Sequence, residues 1–396
     1  MSTSDPVVIV GMARTPMGGF QGELTPLTAS ELGALSIKSA LAHAGVAPED
    51  VTETLMGCVL PAGQGQAPGR QASIKAGIPD KVGAVTVNKM CGSGMKTMML
   101  AHDSLLAGTN AVAVAGGMES MTNAPYLLPK ARGGYRLGHG QVVDHMFLDG
   151  LEDAYDPGRL MGTFAEDTAT HYQFTREQQD AYAIESLRRA NAAIEDGTFA
   201  DEITPVSYDT KKGAVTVTFD EQPGKANPDK IPQLKPAFAK DGTVTAANAS
   251  SISDGAAALI LMRRSEAEKR GLQVIAEIKG HASHAQAPEW FTTAPVGAVK
   301  GLMERTGWSI SDVDLWEVNE AFAVVPMAAM RELGLSHDVV NVHGGACALG
   351  HPIGASGARI VVTLINALKK TGGKRGVAAI CIGGGEGTAL AIELEG

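Results

Sequence analysis

The sequence has little of three features that mark whole classes of protein: paired cysteines, long apolar runs and a basic excess. Its four cysteines, Cys58, Cys91, Cys347 and Cys381, contain no CxxC pair, so neither a zinc knuckle nor a thioredoxin motif is supported. No apolar run approaches the about 18 residues of a membrane-spanning helix. The net charge of −10 argues against a nucleic-acid-binding face, which needs clustered basic residues.

The beginning of the chain excludes two further classes. The apolar stretch 7–10 follows Asp5 and is too short for the core of a signal peptide. No GxGxxG opens a helix after this first strand, which argues against a dinucleotide-binding protein. We expect a soluble, cytoplasmic protein whose cysteines are free thiols. Cys58 and Cys347 are expected to be small buried hydrophobic side chains.

Two stretches alternate strand-like and helix-like patterns, which predicts an α/β fold with a largely parallel sheet. The predicted strands are 7–10, 54–59, 84–87, 111–115, 256–262, 274–278, 315–318, 339–342, 376–382 and 389–394. The predicted helices are 29–44, 96–107, 298–307, 324–333 and 358–370. Between these stretches, prolines, glycines, a polar helix at 175–197 and a hairpin near 215–219 indicate an inserted region with binding loops.

The pattern has an internal echo. Residues 84–118 run strand, glycine turn with Cys91, helix, strand and Gly-Gly-Met. Residues 339–385 run strand, glycine turn with His351, helix, strand and Gly-Gly-Gly. We expect two similar α/β halves, each presenting a strand-to-helix turn to a shared site.

The first of these turns, residues 88–94, reads NKMCGSG. Backbone N–H groups and the positive end of a helix favour a thiolate, so the turn predicts a lowered pKa for Cys91. We expect Gly92 and Gly94 to leave room for a substrate. The alternative is an ordinary buried cysteine at the start of a helix.

The second turn, residues 341–357, reads NVHGGACALGHPIGASG. His351 stands between glycine and proline with few side chains to bury it, so we expect it to take a proton from Cys91 and later to stabilise an oxyanion. His343 is the weaker candidate, since no proline or helix turn fixes it. A structural histidine is the alternative.

Two further strand ends carry polar groups. Residues 381–387, CIGGGEG, place Cys381 where it suits a general base and the Gly383 N–H where it suits an oxyanion donor. Asn319, in the run VNEAFA, is placed to hold an ordered water or an imidazole. Two cysteines and a histidine on separate glycine turns match the two deprotonations that carbon–carbon bond formation through an acyl-enzyme requires.

Together, runs 88–94, 319–323, 350–354 and 381–385 resemble the signatures of the thiolase family, in order and spacing, over essentially the whole chain. The resemblance implies a five-layered fold of two similar α/β halves with an inserted loop domain. It implies an N-terminal half of 1–118 plus about 247–272, a loop domain of 119–246 for CoA binding and oligomer contacts, and a C-terminal half of 273–396. It also implies a homotetramer acting in lipid metabolism.

Within that family the chain is similar to acetyl-CoA acetyltransferases, which join two acetyl-CoA into acetoacetyl-CoA and CoA and need no cofactor. The resemblance makes Cys91 the nucleophile, Cys381 the base for the second acetyl-CoA, and His351 the activator of Cys91. His351 and a water on Asn319 would form one oxyanion hole, and the N–H groups of Cys91 and Gly383 the other.

The resemblance also implies contacts for the substrate and for an ion. Leu160 stands where acetoacetyl-CoA thiolases usually carry histidine, so a broader-chain 3-ketoacyl-CoA thiolase of β-oxidation is the alternative. The expected CoA and acyl contacts are Ser250, Met161, Ala321, Phe322, Lys225, Lys230 and Phe291; the lysines could also be surface charges and Phe291 core packing. A potassium site would involve Tyr155, Ala246, Ala247, Ala249 and Val296, through oxygen ligands.

Two rival functions stay open at this stage. A decarboxylating ketoacyl synthase shares the fold and a cysteine nucleophile, but it needs two histidines, or histidine and asparagine, and lacks a second catalytic cysteine. Cys381 argues against it. A non-catalytic CoA or lipid carrier would carry a degenerate site, whereas all four motifs are intact here.

Overall fold

The first strand, β1 (Val7–Arg14), shows why the chain opens on an unbroken apolar run. The computed structural model describes residues 5–395. In this strand, Val7 and Ile9 face one buried cluster, and Val8 and Val10 face another on the opposite side. A strand covered on both faces needs apolar side chains at every position. β1 continues beyond the predicted 7–10.

The other elements follow in chain order. The strands are β2 (Gly18–Gly19), β3 (Glu53–Gly57), β4 (Gly83–Val87), β5 (Val112–Ser120), β6 (Tyr126–Leu127), β7 (Val143–Asp144), β8 (Val206–Thr210), β9 (Gly213–Val217), β10 (Ser253–Arg263), β11 (Ala276–Ala285), β12 (Leu315–Val318), β13 (Arg375–Ile382) and β14 (Glu386–Leu394). The helices are α1 (Ala29–Ala44), α2 (Pro68–Lys75), α3 (Ser93–Leu106), α4 (Met161–Tyr172), α5 (Arg176–Glu195), α6 (Arg264–Lys269), α7 (Ala294–Thr306), α8 (Val324–Leu333), α9 (Ala346–Leu349) and α10 (Ser356–Thr371).

The main sheet has ten strands, in the order β12-β13-β14-β11-β1-β10-β5-β3-β4, with β2 paired to β10. Within it, β3 runs parallel to β4 and β5, and β12 runs parallel to β13. The remaining pairs are antiparallel, so the prediction of a largely parallel sheet is wrong. One cause is the tight turn between β13 and β14, because strands joined by so short a loop can only run antiparallel.

The predicted internal echo is present in the strand order. β1, β10, β5, β3 and β4 follow one another with the same directions as β11, β14, β13, β12 and the backbone at Val340. The predicted strand 339–342 is wrong in extent, since only Trp316 and Val340 form a parallel bridge there. Asn341 follows with φ +49, and this left-handed conformation turns the chain away from the sheet.

Helices separate the two halves and cover them. α3 and α10 pack on each other and on strands of both halves, while α1 and α2 cover the outside of the first half and α7 and α8 the outside of the second. The order is therefore helix, sheet, helix, sheet, helix, which confirms the expected five layers. The sheet layers of the two halves are continuous with each other where β1 pairs with β11 at Val8 and Ile9.

Helix ends follow their capping residues. α1 has the predicted bounds, and its N-cap is Thr28, whose hydroxyl accepts from the Glu31 N–H while the Glu31 carboxylate caps Thr28 in return. Thr175 and Gln178 do the same for α5, the predicted polar helix. β8 and β9 form the predicted hairpin in the inserted region. The division of the chain into domains stays a prediction.

Residues 5–395 contain no helix long and apolar enough to cross a membrane.

Candidate active site

Two helix N-termini meet at the centre of the molecule and bring the Cys91 and His351 turns together. A side chain on Gly94 would lie 2.8 Å from the Ala358 N atom, and one on Gly357 would lie 2.4 Å from the Met95 N atom. The backbones of α3 and α10 are thus in direct contact at glycine, and any Cβ there would push them apart.

This contact corrects one expectation for the glycines. Gly94 makes room for α10, and Gly92 makes room for the Ile382 side chain, whose Cδ1 lies 2.5 Å from where a Cβ would be. Both glycines therefore serve packing between the turns rather than the entry of a substrate. The same contacts place the Cys91 turn beside the end of β13.

Cys91 lies between β4 and α3, directly after a residue of unusual conformation. Met90 has φ +48. This left-handed conformation costs energy in a residue that carries a Cβ atom, so it marks a constrained turn. The N–H groups of Cys91 itself and of Gly383 favour the thiolate form of the Cys91 sulfur and so act to lower its pKa. Two backbone N–H groups, one from each half, therefore act on the same sulfur atom.

The prediction of a lowered pKa for Cys91 is wrong for the protein without substrate. Burial raises the pKa of the thiol to about 11, although the N–H groups of Gly383 and Cys91 act in the opposite direction. Desolvation of the charged form therefore outweighs the helix end. Cys91 rests as a thiol and needs a base before it can attack.

His351 has the properties of such a base. Ser356 donates its hydroxyl proton to the Pro352 carbonyl oxygen at 3.0 Å, so its oxygen is left to accept from His351 Nδ1 at 2.6 Å. The proton therefore sits on Nδ1, as assigned from this network. Nε2 is buried and has no partner within residues 5–395. Burial lowers the pKa of His351 to about 3, so the ring is neutral.

Asn319 is held by its backbone and leaves its amide unused. Its N–H donates to the Ala379 carbonyl oxygen at 2.9 Å, which fixes the residue at the end of β12. Both polar atoms of the buried side chain lack a partner within the described part of the chain. An amide in that state fits the predicted role of holding a water, because buried polar groups are otherwise paired.

Cys381 is fully buried at the end of β13. Burial raises the pKa of its thiol well above the ordinary value, and a negative charge on Cys91 would raise it further. The two sulfurs therefore lie near enough to interact electrostatically. Gly383 lies two residues further on and supplies the N–H at Cys91.

Two buried carboxylates support the site. Glu119 was missed from the sequence, whereas Glu320 stands beside Asn319 in a run that the sequence singled out. Glu119, at the end of β5, accepts from the N–H groups of Val59 and Gly354, each at 2.9 Å, and so ties the His351 turn to the first half. Burial raises its pKa to about 7. Glu320 accepts from Tyr182 Oη, Ser186 Oγ, Asn341 Nδ2 and the Cys347 N–H. The available signal in the sequence was an acidic residue just after the glycine pair 116–117 and another directly after Asn319.

A groove of about 320 Å³ lies between the inserted region and the second half, and its lining includes both predicted lysines. Both lysines are exposed, and Lys225 pairs with Glu221. Ser251, rather than the predicted Ser250, lines the groove. Ser250 instead donates its N–H to the Ala321 carbonyl oxygen at 2.9 Å, beside Phe322.

Cys347 also lines this groove, although the sequence favoured plain packing for it. Its Sγ lies 3.7 Å from the Glu320 carbonyl oxygen. Cys58, by contrast, is buried as expected and lies 3.5 Å from the Glu119 carboxylate.

The predicted acyl-pocket residues divide into two groups. Met161 begins α4, and its sulfur lies 3.3 Å from where a Cβ on Gly383 would be, so it faces the glycine turn. Phe291 is buried in the apolar cluster of the second half and packs edge-on against Phe164. Core packing therefore describes Phe291, and its role at the acyl chain stays a prediction.

The predicted potassium ligands lie on separate segments. Ala246, Ala247 and Ala249 form one turn, Val296 is in α7, and Tyr155 places its ring 3.7 Å from the Cβ position of Gly384. The four aliphatic residues offer only backbone carbonyl oxygens, which are ligands of the right chemistry for such an ion. Ion binding stays a prediction.

Comparisons with known proteins identify the family. Residues 7–265 match "Thiolase, N-terminal domain" and residues 272–394 match "Thiolase, C-terminal domain". The chain belongs to the thiolase family, a family of acyltransferases, as the motifs predicted.

Relatives that match over nearly their full length carry the name of one type of acyltransferase. The chain is 52% identical to acetyl-CoA acetyltransferase 1 of Arabidopsis thaliana over 98% of this chain and 94% of that protein. It is 49% identical to an acetyl-CoA acetyltransferase of Cupriavidus necator, over 98% of this chain and 99% of that protein. A Chromobacterium violaceum protein of the same name is 48% identical, with the same coverage.

Proposed function

We propose that this protein is an acetyl-CoA C-acetyltransferase, which condenses two acetyl-CoA to acetoacetyl-CoA and CoA and also runs the reverse thiolysis. One observation carries the proposal: glycine contacts bring the Cys91 turn of one half against the His351 turn and the end of β13 in the other, and His351 Nε2 is buried without a partner within residues 5–395. The names of the relatives support the choice of acetyl-CoA.

In the first half-reaction, His351 Nε2 takes the proton of Cys91, and the sulfur attacks the thioester carbonyl of acetyl-CoA. The carbonyl oxygen becomes an oxyanion, which His351 and a water on Asn319 stabilise. When the oxyanion collapses, CoA leaves as a thiol with the proton from His351, and Cys91 carries the acetyl group. A base is essential, because a thiol of pKa about 11 is ionised in only about one molecule in ten thousand at neutral pH.

In the second half-reaction, Cys381 acts as the thiolate and removes a proton from the methyl group of another acetyl-CoA. The carbanion attacks the acetyl carbon on Cys91 and forms an oxyanion between the N–H groups of Cys91 and Gly383. When this oxyanion collapses, the bond between the acetyl carbon and the Cys91 sulfur breaks, acetoacetyl-CoA is released, and the Cys91 sulfur takes the proton from Cys381.

CoA would occupy the groove at Lys225 and Lys230, whose ammonium groups suit its phosphates. Cys347 and Ser251 line the same groove. The Ser250 backbone is fastened to Ala321, so the pantetheine arm would pass this junction towards Cys91.

The length of acyl chain that the site accepts depends on the space beside Gly383. Met161 contacts this turn, and Phe238 closes in on Gly162, with ring carbons 2.4 Å from where a Cβ would be. We expect thiolysis to be fastest with acetoacetyl-CoA and to fall by tenfold or more, roughly, for eight carbons, because longer chains would displace these side chains. Initial rates on 3-ketoacyl-CoAs of rising length measure this. Strong activity at eight carbons would favour the broader-chain thiolase of β-oxidation instead.

The hairpin formed by β6 and β7 exposes apolar side chains that favour a homotetramer. Leu137 is 98% exposed and Tyr126 is 69% exposed, and apolar side chains gathered in one surface segment mark an interface. We expect Leu137→Asp to give a smaller assembly by sedimentation, while Phe219→Asp, at an exposed phenylalanine elsewhere, leaves the assembly intact. Equal behaviour of the two variants would exclude this interface. A cytoplasmic role in lipid metabolism completes the proposal.

A further inference from the structure

A cluster of metal-ligand type lies away from the active site, where α3 packs near β11. His102 and Asp103 are adjacent in the second half of α3, and His281 projects from β11. Cys91 precedes the other end of α3, so the rise of about 1.5 Å per residue places His102 about 15 Å from the nucleophile. None of the three side chains has a part in the proposed reaction.

The three side chains meet at one oxygen. Asp103 Oδ1 lies 3.2 Å from His102 Nδ1 and 2.9 Å from His281 Nε2. The two rings stand at 90°, with centroids 5.0 Å apart. All three ligand atoms lie within 4.8 Å of one another.

These separations suit a small cation. Two ligands bonded at about 2.0 to 2.1 Å to a tetrahedral zinc ion lie about 3.3 Å apart. The two histidine–aspartate separations differ from that value by only a few tenths of an ångström. Side-chain rotation alone would therefore bring a cation into contact with both nitrogens and the oxygen.

The contacts of the two rings also leave them free for a cation. Each histidine faces Asp103 through one ring nitrogen, and the other ring nitrogen of His281 is buried without a partner within residues 5–395. Two positive groups oppose binding: Lys96 lies near enough to act on His281, and Arg305 donates to the His281 carbonyl oxygen.

We propose that His102, Asp103 and His281 form a binding site for a divalent cation of the zinc class. Two imidazoles and one carboxylate favour zinc, cobalt or nickel over magnesium and calcium, which prefer oxygen ligands alone. The Asp103 side chain is 59% exposed, so water completes the coordination. Each ring binds through the nitrogen that faces Asp103.

Such a cation would link α3 to β11. α3 belongs to the first half and carries the Cys91 turn at its start, whereas β11 is the first strand of the second half. The cation would therefore fasten the two halves to each other at the end of α3 that lies opposite the active site.

The test is a titration of the purified protein with Co²⁺, followed through the visible ligand-field absorption. We expect one cation per chain, a tetrahedral spectrum without the near-ultraviolet band of thiolate ligands, and displacement by Zn²⁺. His281→Gln and His102→Gln should each weaken binding by about tenfold or more, since glutamine keeps a hydrogen bond to Asp103 but is a poor ligand. His139→Gln, at an exposed histidine outside the cluster, should bind as the parent does.

The absence of thiolate bands separates this site from Cys91, Cys347 and Cys381, which could bind Co²⁺ themselves. Thiolysis by His281→Gln without added metal should match the parent, which shows that the variant is folded. Titration curves of His281→Gln and His102→Gln that coincide with that of the parent would overturn the proposal, as would a spectrum dominated by thiolate bands.

Discussion

Replacing Cys91 by alanine should lower both thiolysis and condensation by about four orders of magnitude or more, because no other group can carry the acetyl thioester. Incubation of the parent with acetyl-CoA should add one acetyl group on the peptide that contains Cys91. Mass spectrometry of the intact protein and of its peptides measures this, and the alanine variant should gain no acetyl group.

The matched control is Cys58→Ala, which removes a buried thiol that, like Cys91, follows a strand of the first half. It should retain most of the activity and acetylate normally. An acetyl group found on Cys347 or Cys381, or a fall of less than tenfold in the Cys91 variant, would contradict the assignment of Cys91 as the nucleophile.

The three turns of the site could be predicted because their signals are local. Cys91, His351 and Cys381 each stand where an apolar strand or loop meets several glycines, and such runs leave few other interpretations. The family signatures then gave these residues their roles. Helix bounds such as those of α1 and α8 followed equally well from local periodicity and caps.

What the sequence could not show depends on contacts between distant segments. Gly354 bonds to Glu119, 235 residues away, and nothing near either residue predicts that partner. The direction of the Cys91 pKa was predicted wrongly for the same reason. The helix end is visible in the sequence, but the surrounding segments that bury the thiol are not.

The directions of the strands were predicted wrongly for the same reason, because they depend on contacts between distant segments. Alternating strands and helices favour parallel neighbours, yet β10 enters between β1 and β5 after the long inserted region. Its place and direction are set by packing on α1 and α10, which no local pattern in β10 records. In the second half, the strand that would correspond to β4 is reduced to a single bridge at Val340, and this likewise depends on the conformation of Asn341.

Replacing Cys381 by alanine should separate the two half-reactions. Cys91 would still be acetylated by acetyl-CoA, because His351 alone activates it in the first step. Condensation should fall by about two to four orders of magnitude, since no base would remain to remove the methyl proton. The acetyl-enzyme should therefore accumulate, and mass spectrometry under turnover should show it at close to one group per chain.

His351→Asn provides the contrast, because it removes the base for Cys91 and should block acetylation itself. A Cys381→Ala variant that condenses as fast as the parent would instead favour the decarboxylating ketoacyl synthase, which has no second catalytic cysteine. A variant that loses acetylation along with condensation would show that Cys381 supports Cys91 rather than acting on the second substrate. Cys381 shares no hydrogen bond with His351 within residues 5–395, where Nε2 is unpaired and Nδ1 is bonded to Ser356. The two half-reactions should therefore separate.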